Sequence, residues 1–129
     1  MSISLKEIEA MSNRSTKDRY VYFIKKSVDN ETIWVLDDNG YAMSGDGSGN
    51  DVIMLWPSKE YAERCATNDW ANYKPLSLDL DYVIDELLPS LSGKKIKLGI
   101  FMVPSSSTTS VIDADSLLVD LDSECQKYN

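Results

Sequence analysis

The stretch from Thr32 to Pro57, TIWVLDDNGYAMSGDGSGNDVIMLWP, decides the fold. Upstream of it apolar residues recur at helical spacing, and within it the period changes to that of strands. Two β-rich runs, TIWVL and YAMS, meet at Asn39-Gly40, the strongest short-range hairpin signal. Gly45 to Asp51, GDGSGND, reads as a hairpin tip. VIMLWP after it reads as a third strand, apolar on both faces, that Pro57 stops. The tip fails as a phosphate loop, for it lacks the lysine and the following helix that such a loop needs. It fails as a calcium loop counted from Asp46, because Asp51 stands where the turn glycine belongs and Pro57 where the bidentate glutamate belongs.

Helices are expected on both sides of these strands. Upstream, Ser15 followed by Asp18 forms a capping signal, and Tyr20, Phe23, Ile24 and Val28 make one apolar face of a helix ending near Asp29 and Asn30. Residues 1–14 hold only Leu5 and Ile8 at helical spacing after Ser4, so they read as a marginal helix or a frayed arm. Downstream, Ser58 caps a helix through about Thr67, and DWANYKPLSL is extended because Pro75 disfavours helix at the residue before it. Asp79 then caps a helix carrying Leu80, Val83, Ile84 and Leu87, which Pro89 kinks or ends and Gly93 terminates. KKIKLGIFMV is a strand that pairs with SVID as a hairpin across PSSSTT. The last helix begins at Asp113 or Asp115, with Leu117, Leu118, Leu121, Cys125 and Tyr128 on its apolar side and Lys127 near its end. The sum is an α+β domain spanning residues 1–129. It has a mostly antiparallel sheet of about five to six strands, with helices packed mainly on one face.

The 129 residues suit one domain, and the charge narrows its partners. Thirteen Lys and Arg face 21 Asp and Glu, a net charge of −8, and the basic residues form no run. Phosphate backbones are bound by clustered cations, so nucleic acid and anionic membranes are not expected partners. A basic protein or a cationic ligand would be steered toward this surface, although solubility alone is the leading account of the charge. No apolar run approaches the ~20 residues needed to span a bilayer, no signal-peptide core is present, and two cysteines make no disulfide framework. These features place the chain in the cytoplasm; they say nothing of its oligomeric state.

Catalytic material is scarce. Histidine is absent, which removes the commonest general base and the histidine-dependent nucleophile pairs and metal sites. Asp81 and Asp85 share a helix face, but solvated acids explain them as well as a carboxylate pair does. The reading therefore leans against an enzyme, with no catalytic residue, metal ligand or cofactor assigned. The segment LWPSKEYAERCATNDWANYKP, Leu55 to Pro75, is the one dense aromatic cluster. Tyr61 and Cys65, like Ala62 and Ala66, lie a helical turn apart, so core packing is its leading reading, with Cys65 and Cys125 as buried, inert thiols. As a recognition corner it offers Trp56, Arg64, Trp70, Tyr73 and Lys74. Trp56 should be core and Trp70 partly exposed.

That segment, with LDLDYVIDELLPSL and KIKLGIFMVP after it, resembles the small bacterial proteins grouped as domain of unknown function 2750. The resemblance runs from about Arg19 to Tyr128 and implies a compact cytoplasmic α+β domain without an established activity. The expected function is a non-enzymatic interaction domain, inhibitor- or immunity-like, with a protein partner. The alternative is a small-molecule-binding domain or a carboxylate-dependent hydrolase with its ligand between Trp56 and Trp70.

Overall fold

The computed structural model describes residues 3–45, 47–94, 96–106 and 108–128. The first two residues of the expected arm, Asp46 of the hairpin tip, Lys95 before the KIKLGI strand and Ser107 of the PSSSTT loop lie outside that set.

The amino-terminal segment forms α1 (Leu5–Ser12), with Ser4 accepting from the Glu7 amide at 3.1 Å and Ile8 buried. One buried anchor and a working cap make a helix of what composition alone leaves marginal. The capping signal at Ser15 forms as expected: its hydroxyl accepts from the Asp18 amide at 3.1 Å and starts α2 (Thr16–Asn30). Phe23, Ile24 and Val28 are buried along α2, and Glu31 ends it in the left-handed region.

Six strands follow: β1 (Thr32–Asp37), β2 (Met43–Gly45), β3 (Asp51–Leu55), β4 (Lys74–Asp79), β5 (Ile96–Ile100) and β6 (Ser110–Ile112). The α+β class and the predominance of antiparallel pairing hold, with the strands divided between two sheets. One is the pair β1–β4, and the other runs β2-β3-β5-β6 with β3 and β5 parallel. The expected hairpin at Asn39-Gly40 needs correction. The turn forms, with Asn39 at φ 58° and an Asp37–Tyr41 bridge, but its two arms join different sheets. Ala42 is the branch point: its amide donates to the Leu36 carbonyl at 2.8 Å while its carbonyl accepts from the Met54 amide at 3.2 Å. β2 then leads into β3 and pairs with it antiparallel, Gly45 opposite Asp51. The sheets are tied again where Trp34 and Trp56 exchange backbone hydrogen bonds of 2.9 and 2.8 Å.

The expected helix after Ser58 is shorter than its pattern. Ser58 occupies the cap position of α3 (Lys59–Arg64) without its hydroxyl bonding the helix. Beyond Arg64 the amides of Cys65 and Ala66 reach back three residues, and Asn68 enters the left-handed region, so the chain leaves the helix before Thr67. Asn68–Trp70 is a 3₁₀ turn, so extended chain begins only at Lys74. Pro89 does not stop its helix. α4 (Leu80–Tyr82), a π-helical segment (Val83–Leu87) and α5 (Leu88–Leu91) run on, with the Leu88 amide reaching back to the Val83 carbonyl. That widened turn is how a helix passes a residue with no amide hydrogen. Gly93, at φ 78°, ends it. The β5–β6 hairpin forms with Gly99 opposite Val111, and α6 (Ala114–Gln126) starts at Asp113, whose carboxylate accepts from the Ser116 amide at 2.8 Å. Tyr128, expected on the apolar side of α6, is exposed, because the helix ends two residues before it.

α2 and α6 pack together and against β5, while α3 lies on β1 and β4. All four residues Val52–Leu55 are buried, so β3 is covered on both faces, as its continuous apolar run requires. Among the described residues no helix is long and apolar enough to cross a membrane.

Candidate functional site: a cleft beside Trp70

The aromatic segment divides into core and surface. Trp56 is wholly buried at the end of β3, and its indole Nε1 donates to the Met102 carbonyl at 2.9 Å. Trp70 is half-buried in the 3₁₀ turn, and its ring meets that of Trp56 edge-on, 6.4 Å between centroids and 85° between planes. Edge-to-face contact at this distance is a favourable aromatic geometry. One tryptophan thus fixes the other, and the second stays partly exposed.

Beside Trp70 lies a cleft of about 280 Å³, lined by Cys65, Thr67, Asn68, Asp69, Met102 and Pro104 as well as the indole. Met102 and Pro104 are brought to it by the turn at Phe101. This residue ends β5 at φ 57°, a region a bulky aromatic seldom enters, while its amide donates to the Leu55 carbonyl at 2.9 Å. Its ring is buried against Tyr61 and Tyr22, at 4.5 and 5.6 Å. The turn at Phe101 leaves the Met102 carbonyl facing both Trp56 and the Cys65 thiol, which donates to it at 3.3 Å. Burial pushes the Cys65 thiol up to about 11, against the opposing pull of the Trp56 indole and the charges of Arg64 and Arg19. The thiol is therefore protonated at neutral pH and is a packing group of the cleft floor, not a nucleophile.

Of the five expected recognition residues, only Trp70 lines this cleft. Trp56 stands behind it as support. Arg64 and Lys74 are exposed and Tyr73 half-buried, its amide donating to the Trp70 carbonyl at 3.0 Å, and none of these three lines the wall. Asn68 and Asp69 carry no local site signal, Asp69 reading from sequence only as the start of an extended segment. Met102 and Pro104 carry no local signal, since only the fold carries them to Trp70.

A larger cleft of about 910 Å³ opens between α1, the end of α2, the start of β1 and the start of α3. Glu7, Lys26, Asp29, Trp34, Lys59 and Glu60 are among its walls. Here the Tyr22 hydroxyl donates to the Glu7 carboxylate and receives from the Tyr61 hydroxyl at 3.2 Å, and Lys26 lies 4.0 Å from Glu7. Burial, and next the Glu7 bond, raise the Tyr22 hydroxyl far above its ordinary range, so it is a fixed donor. Arg19, on α2, is buried to 1% exposure. Its Nη2 donates to the Thr108 carbonyl at 2.8 Å, and its Nε and Nη1 have no partner among the described residues. Burial lowers its pKa. No group of three or more Cys, Asp or Glu among the described residues could hold a metal ion.

A family profile described as "Protein of unknown function (DUF2750)" matches residues 20–121. No curated protein matches the chain.

Proposed function

The chain belongs to the DUF2750 family, whose function is unknown, and we propose that it is a non-enzymatic protein-interaction domain, inhibitor- or immunity-like, acting in a bacterial cytoplasm. The observation that carries this reading is the half-exposed Trp70, held edge-on by a buried Trp56 above a mainly apolar cleft. Binding hot spots are enriched in tryptophan set in pre-formed pockets, where little ordering entropy is lost on contact. The net charge of −8 adds long-range attraction for a basic partner. The test compares immobilised wild-type protein with Trp70→Ala in capture from native lysate. A partner retained by the first and lost from the second, with the variant still folded by circular dichroism and at most modestly destabilised, is expected; equal capture by both would remove Trp70 from the interface.

Small-molecule binding is the second reading, and the 910 Å³ cleft favours it, since ligand sites commonly enclose about 300–1,000 Å³. A carboxylate-dependent hydrolase at Trp70 has less support. Glycoside cleavage uses a pair of carboxylates, and Asp69 is the only one among the cleft-lining residues. A ligand screen followed by thermal shift would separate the two sites: stabilisation abolished by Trp34→Ala points to the larger cleft, and by Trp70→Ala to the smaller.

A further inference from the structure

Resting on the reading of the Trp70 cleft as the contact site, we propose that its occupant is a basic side chain of the partner, the arginine or lysine of an exposed segment. The cleft volume of about 280 Å³ suits one long side chain rather than a folded surface. Its walls divide by chemistry in the way such a side chain does. Met102, Pro104 and the neutral Cys65 thiol offer apolar contact for an aliphatic stem. The Trp70 ring offers a π-face, on which a guanidinium or ammonium is held. Asp69 is the only charged residue in the wall, and it forms no ion pair among the described residues. The molecule's net charge of −8 brings such a partner in from a distance.

Two cations stand nearby and act in the opposite sense. The charges of Arg64 and Arg19 both reach the Cys65 thiol. Neither lines the cleft: Arg64 projects into solvent, and the Arg19 guanidinium is buried and held by the Thr108 carbonyl. Asp69 is the charged group that an entering side chain meets in the wall itself. Removing Arg64 should then leave cation binding as strong or make it stronger, whereas an anionic occupant would lose affinity.

The test is NMR titration of the full chain with capped tripeptides, acetyl-Gly-Arg-Gly-amide and its lysine, citrulline and leucine counterparts. The Trp70 indole N–H signal is the readout, assigned by its loss in Trp70→Phe. Saturable shifts with the arginine or lysine peptide are expected, with a Kd on the order of 1 mM as befits a single side chain. Citrulline, which keeps arginine's shape without its charge, should bind at least tenfold more weakly. Asp69→Asn should weaken the arginine peptide at least threefold, and Arg64→Ala should not weaken it. Equal binding of the citrulline or leucine peptide would overturn the basic class while leaving the cleft as a contact site. Weakening by Arg64→Ala would overturn it in favour of an anion. If no peptide moves the Trp70 signal and Trp70→Ala still captures the partner, the underlying site reading falls with it.

Discussion

Trp56 and Trp70 share one aromatic contact but differ in what their removal leaves behind. Taking out the buried Trp56 opens a large cavity, orphans the Met102 carbonyl of one donor and strips Trp70 of its support. Trp56→Ala should therefore cost about 3–5 kcal/mol, measured by denaturant unfolding, while Trp70→Ala should cost no more than about 1–2 kcal/mol. In a Trp34→Phe background, the variant retaining only Trp56 should fluoresce further to the blue and resist quenching better than the one retaining only Trp70. A quencher-resistant Trp70 would remove the contact site. Cys65 gives a second test at this scale. A thiol pushed up to about 11 carries, near neutral pH, roughly a hundredth of the thiolate of an ordinary cysteine, and burial slows attack further. Thiol reagents in native buffer should label Cys125, which is half-exposed, first and Cys65 only on unfolding. Phe101 makes the same point about position. Its φ of 57° stores strain that its buried ring contacts must outweigh, so Phe101→Leu, which keeps the strain and loses the ring, should destabilise more than a typical core exchange.

Between β3 and β5, Gly99 leaves room for the side chains of Met54 and Val52. A Cβ at Gly99 would meet Met54 Sδ at 2.7 Å and Cε at 2.8 Å, and Val52 Cγ1 at 3.0 Å. The first two are the far end of a flexible side chain, so Gly99→Ala should cost only about 1 kcal/mol, whereas Gly99→Val should exceed the ~1–3 kcal/mol usual for overpacking. Thermal melts of the two variants check this order. α6 rests on its cap. The bond from the Ser116 amide holds the Asp113 carboxyl below its ordinary 3.8. Because the folded value is the lower one, the cap's contribution is complete above pH 3.8 and fades as pH falls through the folded value. Asp113→Ala should lower Tm at pH 7, and the gap from wild type should narrow toward pH 3. α2 and α6 begin where the sequence places them because the hydroxyl of Ser15 and the carboxylate of Asp113 bond their first turns. Ser58 shows the limit of this reasoning, since it has the right residue type and position but its hydroxyl does not bond the helix.

At the scale of the molecule, 21 acids and 13 bases leave a repulsive surface that few contacts offset. Three ion pairs occur among the described residues, at 3.0 to 4.0 Å, and one of them, Arg14 with Asp18, is largely exposed. Pairs of that kind contribute little, so net self-repulsion should dominate the response to salt. Raising NaCl from about 20 to about 200 mM shortens the screening length roughly threefold and should raise Tm by a few degrees. A fall would mean that attractive pairs outweigh the net charge. The two sheets should melt together, because the Trp34–Trp56 bridge, the Ala42 hydrogen bonds and the packing of α2 on β1 of one sheet and on β5 and β6 of the other join them. Trp56→Ala should lower the transition by fluorescence and by circular dichroism alike.

By itself the sequence determined the class, most elements and the family, because periodicity, caps and turns act over a few residues and are written where they act. Phe23 and Leu117 are core for that reason, and GDGSGND is a hairpin tip for that reason. Only the tertiary structure decided that β1 leaves β2 for β4, since strand partners compete across the chain and no local pattern ranks them. Only it decided the cleft. Trp70 was legible as an exposed aromatic in a polar stretch, but Met102 and Pro104 reach it through a crossover from β3 to β5 and a strained turn at Phe101, and distances of that kind are set by packing.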